Sequence, residues 1–195
     1  MAQTRLASYD HRVSGYTAGD RLAVKDRDRL DNEIQPTLLL RLGVDVATVE
    51  PLTHDLVERF LRKRNTRFMT DSDGDFKIEY TRDEDSGVEI TIWIIFNGKV
   101  KDKLQFRGSA DKQIGRVRWS EAISLCNEWN RIRLFPKAYL NTRNDGSDEV
   151  AGLVCELNLD LSAGTFEEFV QDQYTLAVAS TAWFFEWLHK EKRFI

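Results

Sequence analysis

The sequence predicts an α+β fold, an antiparallel sheet with helices packed on one face. Three observations carry that expectation. Val88–Phe96 sets Val88, Ile90, Ile92, Ile94 and Phe96 at every second position, the period of a strand. Two turn signals, Asn97-Gly98 and Asn144-Asp145-Gly146, each join a pair of strand patterns as a hairpin, which makes neighbours antiparallel. Helical stripes precede, interrupt and follow the strands, giving the order α-β-β-β(-β)-α-β-β-α and an α+β layer fold.

The elements follow in chain order. Residues 1–51 read as an extension and 52–195 as the domain. Residues 1–18 lack periodicity and read as a disordered tail. Asp20–Glu33 alternates charge sign around a thin apolar face, so it is a solvated helix or unfolded. Leu38-Leu39-Leu40 after Pro36 reads as a short strand or a strap over the main domain. From Thr53 a helix runs to about Arg64, with the Thr53 hydroxyl as its cap and Leu56, Val57, Phe60 and Leu61 as its stripe. Arg67–Asp71 then turns through Asp73-Gly74 into Phe76–Thr81. Lys99–Phe106 returns from Asn97-Gly98, a pair suited to a type I′ turn. After a polar stretch, Ser120 caps a helix to about Arg131 with Ala122, Ile123, Cys126 and Trp129 inward. Lys137–Arg143 and Leu153–Leu161 form the second hairpin. In the latter, Leu153, Cys155, Leu157, Leu159 and Leu161 face the core, and Val154, Glu156, Asn158 and Asp160 face out. A capping box, Thr165 to Glu168, opens a last helix to about Lys190.

Composition excludes several classes. The chain has 195 residues, 42% hydrophobic and 11% aromatic, which is ample for one core. Its 28 basic and 32 acidic residues leave a net charge of −4, with no general pull toward nucleic acid or acidic membranes. No apolar run reaches the length of a membrane span, and the first residues lack the apolar centre of a signal peptide. Cys126 and Cys155, the two cysteines, sit on apolar faces as buried free thiols, which points to the cytosol.

Leu125-Cys126-Asn127-Glu128-Trp129-Asn130, followed by Phe135-Pro136-Lys137-Ala138-Tyr139, the hairpin and the last helix, resembles the YbjN family of bacterial sensory transduction regulators. The resemblance covers roughly residues 52–190. It implies a fold like that of type III secretion chaperones, small α+β units that commonly dimerise and bind protein segments. It implies a regulatory or chaperone-like role and transfers no catalytic residue. On this pattern Asn127, Trp129, Asn130, Phe135, Lys137 and Tyr139 are family-motif positions with structural roles. Asn127 and Asn130 are expected to brace the following loop, and Trp129 to enter the core.

The residues themselves single out no chemistry. His11, His54 and His189 are spaced for no metal site and read as surface positions; no phosphate-binding glycine loop or nucleophile motif occurs. Asp71-Ser72-Asp73-Gly74-Asp75 resembles the start of a calcium loop, but Phe76 and Arg82 occupy its sixth and twelfth positions, so it reads as a turn. Arg59, Arg62, Lys63, Arg64 and Arg67 form a basic cluster, with Arg116, Arg118, Arg131 and Arg133 as an extension. It supports an alternative function, a nucleic-acid-binding regulator. No stacking platform accompanies it, and cations at a helix end complement the dipole. The positive local clue is the strand that is apolar on both faces. Trp93 and Ile95 lie opposite its core residues and require a second cover, either the N-terminal strap or another subunit. Trp183 and Trp187, four apart on the last helix, share a second face. Those four are the candidate protein contacts. The expected function is therefore a non-enzymatic protein-binding domain, cytoplasmic and homodimeric, with no cofactor.

Overall fold

The computed structural model describes residues 48–82, 85–142 and 146–195. The readings of a disordered tail, a charged helix and a strap fall outside them. Contacts define one compact unit from Ala47 to Ile195.

The chain enters as α1 (His54–Lys63), and the Thr53 hydroxyl accepts a 3.1 Å hydrogen bond from the Leu56 amide as the sequence predicts. The helix closes on Asn65 at φ 53°, with Thr66 N–H bonded to the Leu61 carbonyl and Asn65 N–H to Arg62, the two bonds of a left-handed C-cap. Six strands follow: β1 (Met69–Thr70), β2 (Phe76–Tyr80), β3 (Ile90–Asn97), β4 (Lys103–Gly115), β5 (Lys137–Asn141) and β6 (Val150–Asp160). They pair antiparallel throughout, in the order β1-β2-β3-β4-β6-β5. Helix α2 (Trp119–Ile132) connects β4 to β5. Helix α3 (Glu167–Glu186) follows β6 and widens into a π-helical turn over Trp187–Glu191.

Alternation determines which face is covered. In β3, Ile90, Ile92, Ile94 and Phe96 are buried, and Trp93 and Ile95 between them are half-buried. The buried set meets Leu104 and Phe106 of β4 and Cys155 and Leu157 of β6, and beneath these lie Phe60 of α1 and Tyr174, Phe184 and Phe185 of α3. Among the described residues all three helices pack on this one face.

Five local expectations change. The Asn97-Gly98 pair does not make a two-residue turn: Asn97 pairs with Lys103, and residues 98–102 form a longer loop with Gly98 at φ 88° and Lys101 at φ 59°. The second positive φ therefore falls three residues later than a type I′ turn needs. Strand β4 continues through the polar stretch to Gly115, with an irregularity between Ser109 and Gln113 that bends it. Ser120 lies inside α2, whose N-cap is Arg118 without a side-chain bond. The Thr165–Glu168 capping box does not form either. Phe166 is the N-cap of α3, while Thr165 exchanges two 2.8 Å backbone bonds with Glu50. That bridge holds Thr165 in extended pairing one position too early to cap. Val154, expected outward, is 3% exposed, because it lies in the hollow of the bent sheet.

Helix and sheet approach closely at Gly108. A Cβ there would lie 2.6 Å from both Cγ2 and Oγ1 of Thr181 and 3.1 Å from Ile92 Cδ1. Gly108→Ala is expected to lower unfolding free energy by about 1–3 kcal/mol, the usual cost of overpacking a close-packed core. Adding Thr181→Ala, which removes both clashing atoms, should recover part of the loss in urea denaturation.

Candidate functional site

The second half of α2 is tied to the free edge of the sheet. Trp129 Nε1 donates to the Pro136 carbonyl at 3.2 Å. The Asn130 carboxamide makes two bonds to one residue of edge strand β5: its nitrogen donates to the Ala138 carbonyl and its oxygen accepts from the Ala138 amide, both at 2.9 Å. A primary amide so placed imitates a neighbouring strand and satisfies backbone groups that would otherwise face a partner chain. Asn130 thus has the bracing role expected of it. Asn127 is exposed and makes no hydrogen bond among the described residues.

Because Trp129 and Asn130 pull on Pro136 and Ala138, the residues between are pushed outward. Leu134 is 84% exposed and Phe135 38%. They form one wall of a groove of about 590 Å³, with Leu176 and Trp183 of α3 opposite. The floor is the Trp129 and Trp187 rings, 5.4 Å apart between centroids, and behind them Trp129 meets the fully buried Phe184 edge-on at 5.3 Å. Trp183 is 60% exposed at the lip, whereas Trp187 is 6% exposed. The two share a helical face, but α2 covers only Trp187, so they serve as contact and floor rather than as a pair of contacts. Charges flank the opening, with Arg133 on one side and Glu186 paired to Lys190 at 3.0 Å on the other. An apolar channel of fixed shape with a charged rim suits an amphipathic protein segment.

Trp93 and Ile95 lie elsewhere, on the face of the sheet opposite the helices, so the four sequence candidates fall into two separate groups. Lys137 and Tyr139 share that opposite face through Glu156 of β6. The Tyr139 hydroxyl donates to Glu156, and Lys137 Nζ lies 3.5 Å from its other oxygen. Burial first, then the Glu156 hydrogen bond, pushes the Tyr139 hydroxyl up to about 12. Leu134 was not singled out from sequence, and Arg133 only as an extension of the basic cluster; their place at the groove depends on the position of the α2 exit.

The basic cluster is largely neutralised. Arg59 reaches Glu167 and Glu50, each at 2.5 Å, Arg62 pairs with Glu58 at 2.5 Å, and Lys63 with Glu167 at 2.6 Å. Arg64 lies over the Tyr174 ring. A surface with three of its five cations already paired is a poorer phosphate site, and the nucleic-acid alternative is not favoured. His54, read as a surface position, is half-buried: it stacks on Phe96 at 4.0 Å between centroids with Nε2 buried. Asp71 accepts the amides of Asp73 and Asp75 at 2.9 and 3.0 Å, and Gly74 sits at φ 85°, the arrangement of a turn. Both cysteines are free and buried; burial raises Cys126 to about 11 and Cys155 well above the ordinary thiol value, so both are thiols at neutral pH.

The comparisons with known proteins bear on this arrangement. The family model described as "Putative bacterial sensory transduction regulator", YbjN, matches residues 53–190. A solved structure described as "Crystal structure of YbjN, a putative transcription regulator from E. coli" is similar with a TM-score of 0.59 and 11% identity, over 74% of this chain and 96% of that one. At that identity the likeness is one of fold. No curated protein matches the chain.

Two outcomes test the supports of the site. Asn130→Ala should destabilise by about 1–2 kcal/mol, the loss of two part-buried hydrogen bonds, and speed exchange of the Ala138 amide; Asn127→Ala should leave both unchanged. Burial raises the Glu167 carboxyl, but hydrogen bonds from Lys63 and Arg59 outweigh it and hold the group below the ordinary range. A depressed carboxylate stabilises above its unfolded pKa, and that stability is lost as pH falls through the folded value. Glu167→Gln should therefore cost about 1–3 kcal/mol near neutral pH, and wild type and variant should converge in denaturation midpoint as pH falls below the ordinary carboxylate range.

Proposed function

The chain belongs to the YbjN family, and we propose that it acts as a regulator by binding a partner protein, in the cytoplasm and without catalysing a reaction. The observation that carries this reading is the groove beside α3, where Trp183 and Leu134 stand exposed above the Trp129–Trp187 floor. Isolated exposed apolar residues are common on soluble proteins, but a cluster around a concave channel marks a contact surface. Tryptophan and phenylalanine on a rigid base supply contact area with little loss of rotamer freedom. The family description as a regulator supports the same direction, and the high thiol values argue against a cysteine nucleophile. The partner engages as an amphipathic segment, and a second copy of the chain, giving a homodimer, is one form it takes.

A photo-crosslinking residue placed at 183 in living cells should yield a discrete adduct. The same residue at Val117, which is 96% exposed and apolar but outside the groove, should yield none. An adduct of twice the chain mass identifies a homodimer. Equal labelling at both positions, or none at 183, removes the proposal. Leu134→Asp should abolish the adduct while shifting stability by less than about 0.5 kcal/mol, as expected for an exposed position.

A further inference from the structure

The face of the sheet away from the helices holds a second hollow, of about 610 Å³, independent of the groove beside α3. It lies beside the register irregularity of β4 between Ser109 and Gln113, a feature that bends strands, and Val154, 3% exposed, is among the residues that line it. Arg107 and Trp93 are direct cross-strand partners there, both half-buried. One more strand across, Glu156 is the register partner of Arg107, yet its two oxygens are held by Tyr139 and Lys137 on the far side. Arg107 is left with no ion pair or hydrogen bond among the described residues. A half-buried guanidinium with carboxylates nearby but none bonded to it has lost part of its hydration and gained no hydrogen bond in exchange. Its planar fork matches a carboxylate with two parallel bonds.

The surroundings narrow the ligand. Trp93 supplies an aromatic wall beside the cation, with Lys77 Nζ 5.9 Å from its ring centroid. Ile95 and Val154 add apolar surface. Asp71, Asp75 and Asp148 also line the hollow, the first two fixed by backbone amides, and the three repel further negative charge. The floor therefore attracts one anionic group, and the rim disfavours a polyanion. We propose that this hollow is a binding site for a small monocarboxylate carried on a planar apolar body, with the carboxylate on Arg107 and the body against Trp93.

The test uses the full chain labelled with 15N and follows the Trp93 indole N–H, identified by its loss in Trp93→Phe. Benzoate should shift that signal saturably. Benzamide, the same shape without charge, should bind about tenfold more weakly, and so should citrate, which carries the extra charges. Arg107→Gln should remove saturable binding, and Arg107→Lys, which keeps the charge but not the fork, should fall between. Equal binding of benzamide, tighter binding of citrate, benzoate binding that survives Arg107→Gln, or no shift up to the solubility limit of benzoate would each overturn the assignment. The groove variant Leu134→Asp should leave benzoate binding unchanged, so this site stands or falls apart from the protein-binding reading.

Discussion

How closely α3 lies on β4 decides most of what surrounds them. At Gly108 the strand offers no side chain, and Thr181 of the helix occupies the space a Cβ would take. With the helix that near, Tyr174 reaches Phe106 and Phe60, and its hydroxyl lies 2.5 Å from that of Tyr80 at the edge of the same sheet. Phe184 and Phe185 fill the layer beyond. Helices α1 and α2 then take the two flanks of α3, the first through Phe60 and the second through Trp129. A bulkier residue at 108 would lift α3 and loosen both flanks together, since close-packed interiors transmit displacement rather than absorb it.

That packing explains why an apolar groove persists beside α3. A helix flanked on two sides still has an outer surface, and here the outer surface carries Leu176 and Trp183. Covering them would require α2 to run further along α3. It ends at Ile132 because Trp129 and Asn130 commit it to the carbonyls and amide of the following strand. The same bonds that protect the edge of β5 from pairing with another chain therefore leave the helix face open. Edge protection and an exposed groove are two results of one local geometry.

What could be read from the sequence divides along the same line. Strict alternation made the core faces of β3 and β6 legible, and the Thr53 cap was legible because its partner, Leu56, lies three residues away. Features set by distant partners were not. Thr165 has the spacing of a capping box, but Glu50, far away in the chain, holds it in a bridge. The basic cluster looked available for phosphate, and Glu167, more than a hundred residues on, takes two of its cations. Trp183 and Trp187 have equivalent helical positions, and only the place where α2 stops makes one a contact and the other a floor. Arg107 gave no signal at all, since its lack of a partner depends on how Tyr139 and Lys137 occupy Glu156.

The two hollows differ in chemistry because, among the described residues, the sheet is covered by helices on one side only. On the helix side, water is displaced by rings, so what remains open is apolar and suits a segment that brings its own apolar stripe. On the bare side, alternate residues of each strand must tolerate solvent, so the concavity beside the irregularity of β4 is lined by polar groups around a few apolar ones. Charge in such a place is felt more strongly than on a convex surface, because the walls limit the water that screens it. The fold thus separates a site suited to protein from a site suited to a small anion by the thickness of one sheet. Gly108, the point where α3 touches β4, neighbours Arg107 in sequence with their side positions on opposite faces, so any shift of the strand is shared by both.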